Sequence, residues 1–450
     1  MIDLFKAKYR NRVSPSGNSF LKPSPGVAGG SRVNVPFDSF TLSNGLTVIL
    51  RKESSIPVVA VDVAYHVGSK NELRGRTGLA HLFEHLMFEG SANVKKGEFD
   101  TYISLAGGYN NAYTTEDVTN YYEVLPSNQL PLALWLESDR MLKFAATVEA
   151  LTTQREVVKE EKRWRVDNRP YGDATEKLQE MVFPVGQYNW PVIGSMADLD
   201  SARLNDLKDF FELHYRPDNA VLVISGDIDL RKTKKLASKY FEDIPAGSKP
   251  LSLVDFDDLP ISSEKHLAVS GKVPSPAVFV AYKAPPEGSA EYYALSQLSK
   301  VLSDGNSSRL YKKLLYEKQT VSEFDASIDG MEESSVFIFS AFVSSGHSIE
   351  EVVEIFDSEI KKLQNSRVSD REFRKARNSS LSSYVGKLST NSGVADALAH
   401  YHIFFGDPGM ISSEVERELG VTRDSMLRTA VEILDKNKRA VLSYLPEINS

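Results

Sequence analysis

His81-Leu82-Phe83-Glu84-His85 sets two imidazoles and a carboxylate on one patch of a single helical turn. Residues four apart on a helix are neighbours, so His81 and His85 can reach one metal ion together. Glu84, three past His81, lies beside them without being needed as a ligand. Two neutral nitrogen donors and a free carboxylate for proton transfer are the groups that zinc-assisted hydrolysis requires. Around them Leu82, Phe83, Leu86 and Met87 are apolar and hold the helix against a core, while Thr77, Gly78 and Gly90 suit its start and stop. The segment reads as one short buried helix carrying a polar stripe. The bland alternative is a pair of satisfied core histidines next to a helix glutamate, so a third ligand has to be found.

The chain has 450 residues, too many for one ordinary core, which points to two or three domains. Hydrophobic residues make up 41% and charged residues 25%, with a mean hydropathy of -0.28, the balance of a soluble globular protein. No uncharged apolar run approaches a membrane span, and the first 30 residues hold Lys6, Lys8, Arg10 and Arg12 ahead of a Ser/Pro/Gly-rich stretch rather than an apolar signal core. Residues 1–34 read as a flexible tail. A net charge of -8 and a pI near 5.7 argue against a nucleic-acid surface. With no cysteine, disulfide scaffolds, thiol catalysis and Cys-ligated zinc are excluded, so a metal must use His and carboxylates. The expected compartment is the cytoplasm, with the periplasm as the alternative, because lack of cysteine suits both.

Along the chain, Asp38 to Arg51 alternates in strand fashion about an Asn44-Gly45 turn, and Val58 to Val67 is a second β-rich run. A polar stretch from Gly107 to Tyr122 precedes helical patterns at Leu130 to Lys143, Val148 to Arg165 and Leu204 to His214. Ala220 to Ser225 reads as a buried strand. Residues 244–263, with Pro245, Pro250, Pro260 and an acidic patch, read as a linker. The order then repeats: a strand at Ala277 to Tyr282, helices at Tyr292 to Leu302 and Arg309 to Glu317, strands within Ser322 to Ser344, helices at Ile349 to Gln364 and Asp370 to Lys387, and a last strand at Ala440 to Tyr444. A shift of about 220 residues lays Asn219-Ala220-Val221-Leu222 on Arg439-Ala440-Val441-Leu442. At that shift His81, Glu84, His85 and Glu161 land near Val301, Asp304, Gly305 and Leu381, so the second copy lacks the metal residues. The expected fold is α+β: two similar domains from an internal duplication, 35–243 bearing zinc and 264–450 metal-free, each a mostly antiparallel sheet packed with helices.

The third ligand must be His, Asp or Glu, and the helix containing Glu156, Glu160 and Glu161 offers three carboxylates among which spacing alone does not choose. Four ordered segments, Gly78 to Gly90, Asn111-Ala112-Tyr113-Thr114 with Thr119 to Tyr122, Glu156 to Glu161, and Tyr188-Asn189-Trp190-Pro191-Val192-Ile193-Gly194, resemble the pitrilysin-type zinc peptidases. These inverted-motif enzymes include insulin-degrading enzyme and mitochondrial processing peptidase. The resemblance covers nearly the whole chain after the tail and implies a zinc-bearing subunit of one double-domain half. It selects Glu161 as the third ligand, with one Zn2+ per chain on His81, His85 and Glu161 and with Glu84 as general base. Gln154 stands where the family carries a second, bracing glutamate. Asn111, Ala112 and Tyr113 match the family's substrate-pairing edge strand, although an Asn there is as well suited to a plain turn or edge. Gly107 and Gly108 are expected to permit close approach of that substrate. The remaining histidines read as surface or packing residues.

The resemblance also marks a gap. Active relatives place an Arg and a Tyr six or seven residues apart, after a helix beginning like Ser308-Arg309-Leu310-Tyr311, and here those places hold Tyr316 and Val321-Ser322. The expectation is therefore a zinc endopeptidase acting on peptides or unfolded segments in an enclosed chamber, paired with a homologous zinc-free subunit that supplies the Arg and Tyr. A homodimer using Tyr311 or Tyr316 is the milder option. The competing classes are a non-catalytic structural subunit of the same fold and a peptide-binding module that keeps zinc for stability.

Overall fold

The computed structural model describes residues 33–144, 147–248, 256 and 259–447. The expected tail therefore lies almost wholly outside the described residues, as does much of the expected linker. Two sheets organise the rest. The first comprises β1 (Asp38–Thr41), β2 (Thr47–Lys52), β3 (Val58–Tyr65), β4 (Tyr109–Thr114), β5 (Thr119–Pro126) and β6 (Ala220–Gly226), in spatial order β1-β2-β6-β3-β5-β4. The second comprises β7 (Lys265–Gly271), β8 (Ala277–Ala284), β9 (Val321–Gly330), β10 (Ser335–Val343) and β11 (Arg439–Pro446), in order β7-β11-β8-β10-β9. Without β1 the two orders correspond strand for strand. In each sheet the last strand in sequence inserts next to the first and pairs with it in parallel, β6 with β2 and β11 with β7, while the remaining pairs are antiparallel.

Both sheets are covered on both faces, which is why every residue of β6 and β10 is buried, where a strand covered on one face would alternate. On one face of the first sheet Val59, Val61, Val63 and Tyr65 of β3 pack with α1 (Leu79–Leu86), α3 (Leu130–Leu142), α7 (Leu204–His214) and α8 (Leu230–Phe241). On the other face Ala60 and Ala64 meet α12 (Asn391–Phe405), and these small side chains admit the helix closely against β3 and β6. That helix comes from the second half of the chain. In return α5 (Ala174–Val182), from the first half, covers one face of the second sheet through Ala174, Leu178 and Val182 against β8 and β11. The opposite face is filled by α9 (Ala290–Ser303), α10 (Ile349–Asn365) and α14 (Arg423–Ile433). Each half thus lends one helix to its partner's sheet, an exchange that the sequence ranges 35–243 and 264–450 did not anticipate.

A polar lock joins the halves where the β9–β10 turn meets the first sheet. Glu332 pairs with Lys70 and accepts from His66 Nε2 at 2.8 Å, Lys70 Nζ lies 3.0 Å from Asp117, and Tyr188 donates to Asp117 Oδ1 at 2.5 Å. His66, expected among the surface or packing residues, is partly exposed and joins the two halves through its bond to Glu332. His347, 2.8 Å from Glu351, and His266, 3.1 Å from Glu264, lie towards the surface beside carboxylates.

Candidate metal centre

The metal-type motif occupies α1, as its apolar and polar positions require: Leu82, Phe83 and Leu86 are buried in the first core, while Glu84 and His85 remain partly exposed. Gly78 starts the helix at φ 87° and offers no side-chain cap. Its role passes to Glu72, whose two carboxylate oxygens accept from the main-chain N–H of Gly78 and Ala80, both at 2.8 Å. Burial pushes the Glu72 carboxyl up to about 8 in spite of those bonds. Gly78 also meets Gly194 back to back: a Cβ on Gly194 would lie 2.5 Å from Gly78 Cα, and Gly194 has φ +74°. This contact is why the segment Tyr188 to Gly194 ends in glycine beside the motif helix.

The third candidate ligand arrives on α4 (Val148–Lys162), which packs against α1. Glu161 Oε2 lies 3.3 Å from His85 Nε2 and 3.8 Å from His81 Nε2. One donor atom from each of the three lies within 4.8 Å of the others. Ligands about 2.0–2.1 Å from a tetrahedral zinc are separated by roughly 3.3 Å, so these three fit such an ion with little movement. Glu156 and Glu160, which spacing left open, turn elsewhere on α4: Glu156 sits 3.1 Å from Lys159, and Glu160 pairs with Arg163.

Electrostatics favour convergence. Burial opposes ionisation of Glu161, but the bond to His85 and the charges of His81 and Arg165 hold its carboxyl down at about 2. Burial also works against charge on both imidazoles. It prevails for His81, whose pKa falls, while Glu161 and Glu84 outweigh it for His85, whose pKa rises. Arg165, on the π-helical turn Arg163–Asp167 after α4, reaches Glu161 Oε1 at 2.5 Å. The outer carboxylate oxygen is thereby engaged, and Oε2 is left for the histidines. Sequence reading did not find this residue, because an Arg four past a Glu is common on any helix.

Glu84 is fixed from the sheet. Thr114, at the end of β4, donates its hydroxyl to Glu84 Oε2 at 2.6 Å, which anchors one of its two oxygens. Gln154 extends from α4 beside His85 and donates Nε2 to Glu89 Oε1 at 2.7 Å. β4 is an edge of its sheet, with no strand beyond it among the described residues. Asn111 and Ala112 lie along that edge, and Asn111 Oδ1 accepts from the Ala112 N–H at 2.9 Å. Tyr113 turns its side chain the other way. Side chains alternate along a strand, so its ring points to the opposite face, where its hydroxyl donates to Asp396 Oδ1 of α12 at 2.5 Å. Its side chain is thus turned from the motif, and its main chain alone lies along the sheet edge. Gly108 is likewise explained by packing, since a Cβ there would lie 2.7 Å from Val124 O of the neighbouring strand. In the second half Tyr316 lies exposed on the surface, and Val321-Ser322 opens β9.

Comparison with known proteins bears on this arrangement. Residues 47–195 match the family model described as insulinase (peptidase family M16), and residues 201–380 match the model described as the peptidase M16 inactive domain. Zinc protease PqqE of Helicobacter pylori is 31% identical over 367 residues, covering 81% of this chain and 83% of that protein. The mitochondrial-processing peptidase subunit beta of Lentinula edodes is 29% identical over 213 residues, 47% of this chain and 46% of that one, so that alignment spans about half of each. Among solved structures, a protease from Helicobacter pylori superposes with a TM-score of 0.87 at 29% identity, covering 92% of this chain and all of that one. The periplasmic protease PqqL from Escherichia coli shares the fold, with a TM-score of 0.76 at 16% identity, over 92% of this chain and 48% of that one. Among the described residues no helix is long and apolar enough to cross a membrane.

Proposed function

Because the chain belongs to the M16 peptidase family, we propose that it is a zinc-dependent endopeptidase with His81, His85 and Glu161 as metal ligands and Glu84 as general base. The observation that carries the reading is the convergence of three donor atoms within 4.8 Å, with a fourth, anchored carboxylate beside them. A relative named zinc protease across most of its length supports the choice of metal.

When bound, zinc would polarise the scissile carbonyl and acidify the attacking water. The chain's own residues do the rest. Glu84, held at Oε2 by Thr114, takes the proton of the attacking water on its other oxygen and returns it to the leaving amine, so that no proton is left behind when the peptide bond breaks. The free edge of β4 pairs with an extended peptide through Asn111, Ala112 and the main chain of Tyr113, with Asn111 releasing the Ala112 N–H that it now caps. Main-chain pairing selects extended, unfolded segments rather than a particular sequence.

A partner completes the reading. The Arg and Tyr expected near Tyr316 and Val321 are missing, and one oxyanion donor is worth about 3 kcal/mol of transition-state stabilisation. A relative named subunit beta supports a companion chain, homologous and zinc-free, that supplies them. The test is to purify the chain with and without co-expressed neighbouring gene products, measure bound zinc, and follow a fluorogenic peptide. Stoichiometric zinc and cleavage that rises with the companion support the proposal. Zinc without cleavage under either condition turns it into a structural or peptide-binding subunit.

A further inference from the structure

The edge strand β4 is tied to both halves of the molecule. On the face towards the motif, Asn110 donates to Asp100 Oδ1 at 2.8 Å and Thr114 donates to Glu84 Oε2 at 2.6 Å. Its far face is held by a residue of the second half. Asp396 Oδ1, on the exchanged helix α12, accepts from the Tyr113 hydroxyl at 2.5 Å and from Asn120 Nδ2 of β5 at 3.3 Å. Tyr113 and Asn120 are register partners, so a single oxygen clasps the rung that precedes Thr114. Asn120 Nδ2 also reaches Asp62 Oδ2 of β3 at 3.2 Å, which anchors the clasp in the middle of the sheet. An edge strand has a neighbouring strand on one side only, so its place depends more on what its side chains hold. Consecutive side chains of a strand lie on opposite faces, and the bond made by Tyr113 therefore fixes the backbone from which Thr114 projects to Glu84.

We propose that Asp396 is a positioning residue for peptide cleavage: reaching across from the second half, it holds Tyr113 so that the β4 edge is set to pair with substrate and Thr114 is set to hold Glu84. Closing the two halves does not call for this carboxylate, because Val394, Ala395 and Leu398 of the same helix already pack against the sheet. Two carboxylates, Asp62 and Asp396, bonded to one amide are a costly arrangement inside such an apolar contact. The acceptor stands against the one strand whose place the reaction uses, and that is where the cost has a return in function.

This inference rests on the peptidase reading above, and its test separates the two. In the full chain, with the companion that supports cleavage, Asp396→Ala should raise KM for an extended peptide and lower kcat, each about fivefold. Zinc affinity should stay within about twofold of the parent, because the three metal ligands are untouched. Hydrogen exchange read by mass spectrometry does not depend on turnover: residues 109–114 should exchange about tenfold faster in Asp396→Ala, while β6 keeps its protection. Asp396→Asn retains an acceptor for the Tyr113 hydroxyl and should return KM and kcat to within about twofold of the parent. Tyr113→Phe should shift both in the same direction as Asp396→Ala, and the double variant should lie within about twofold of Asp396→Ala, since both cut one clasp. Leu398→Ala, which opens a cavity between the same helix and the same sheet, should lower thermal stability and leave KM and kcat unchanged. Parent-like kinetics or parent-like exchange in Asp396→Ala, or equal kinetic losses in Leu398→Ala, overturn this inference alone. A parent protein that cleaves no peptide even with a companion overturns the peptidase reading and this inference with it.

Discussion

The two halves of the molecule close the same pair of helices in different ways. In the first half α1 stops after eight residues, and α1 and α4 face each other through His81, His85 and Glu161, donors whose mutual distances suit an ion between them. In the second half the corresponding α9 runs for fourteen residues and meets α11 (Asp370–Lys387) directly. There Ser379 donates to Asp304 Oδ2 at 2.8 Å, and Lys375 Nζ bonds the Asp304 carbonyl. One scaffold therefore supports two kinds of bridge, one finished by the chain and one that an outside cation would finish. A metal site here needs little new architecture: a helix ended early, with donors in place of the side chains that would otherwise satisfy its end.

The largest expected effect breaks the first bridge. His85→Ala should abolish bound zinc and reduce cleavage to background. The parent should also lose thermal stability on chelation, since a ligand at 100 times its dissociation constant stabilises by about 2.7 kcal/mol. His85→Ala should be insensitive to chelator, and differential scanning calorimetry with and without it makes the check. Next comes Glu84→Gln, which leaves the three donors intact. Zinc content should stay at one per chain while kcat falls by about 10²–10⁴, the usual contribution of a general base.

How much of this was legible in the sequence follows from the range of the interactions. His81, Glu84 and His85 lie within one turn, where spacing fixes geometry, so the motif helix and its buried side were readable. Glu161 was readable only through the family resemblance, because three carboxylates share α4 and their facing depends on where that helix docks. The duplication showed in the strands that close each half, and β6 and β11 do occupy matching places. The exchange of α5 and α12 was hidden. An apolar helix face tells that something covers it, not which sheet does, and α12 is buried on so many sides that it shows little alternation at all. The burial of the Tyr113 side chain was hidden for a similar reason: a strand's period of two gives opposite faces, but only the docked α12 reveals that the second face is also occupied.

The join between halves should matter less than the metal bridge, yet measurably. Glu332→Gln removes the carboxylate shared by His66 and Lys70 but leaves Lys70 with Asp117, so a loss of about 2 kcal/mol in urea unfolding is expected rather than the full cost of stranding a buried cation. Burial opposes ionisation of Glu332, but the bond and charge of His66 and the charge of Lys70 hold its carboxyl down at about 2. A depressed carboxylate stabilises the folded state fully above its unfolded value near 4.5 and loses that contribution as pH falls towards 2. Stability of the parent should therefore fall more steeply than that of Glu332→Gln between those two pH values.

The smallest effect tests whether the second bridge is self-sufficient. Lys375 donates to the carbonyl of Asp304, the residue that ends α9, where main-chain acceptors have run out of helical partners and the helix dipole favours a cation. Lys375→Met keeps the aliphatic stem and removes the charge and the bond, while Ser379 still holds the Asp304 side chain. A loss of about 1 kcal/mol is expected, the net worth of one such hydrogen bond. Zinc stoichiometry and kcat should not change, because the closure of α9 on α11 shares no side chain with the closure of α1 on α4. A Lys375→Met protein that bound zinc more weakly would show the two bridges to be coupled through the exchanged helices, and the halves would then have to be treated as one elastic unit.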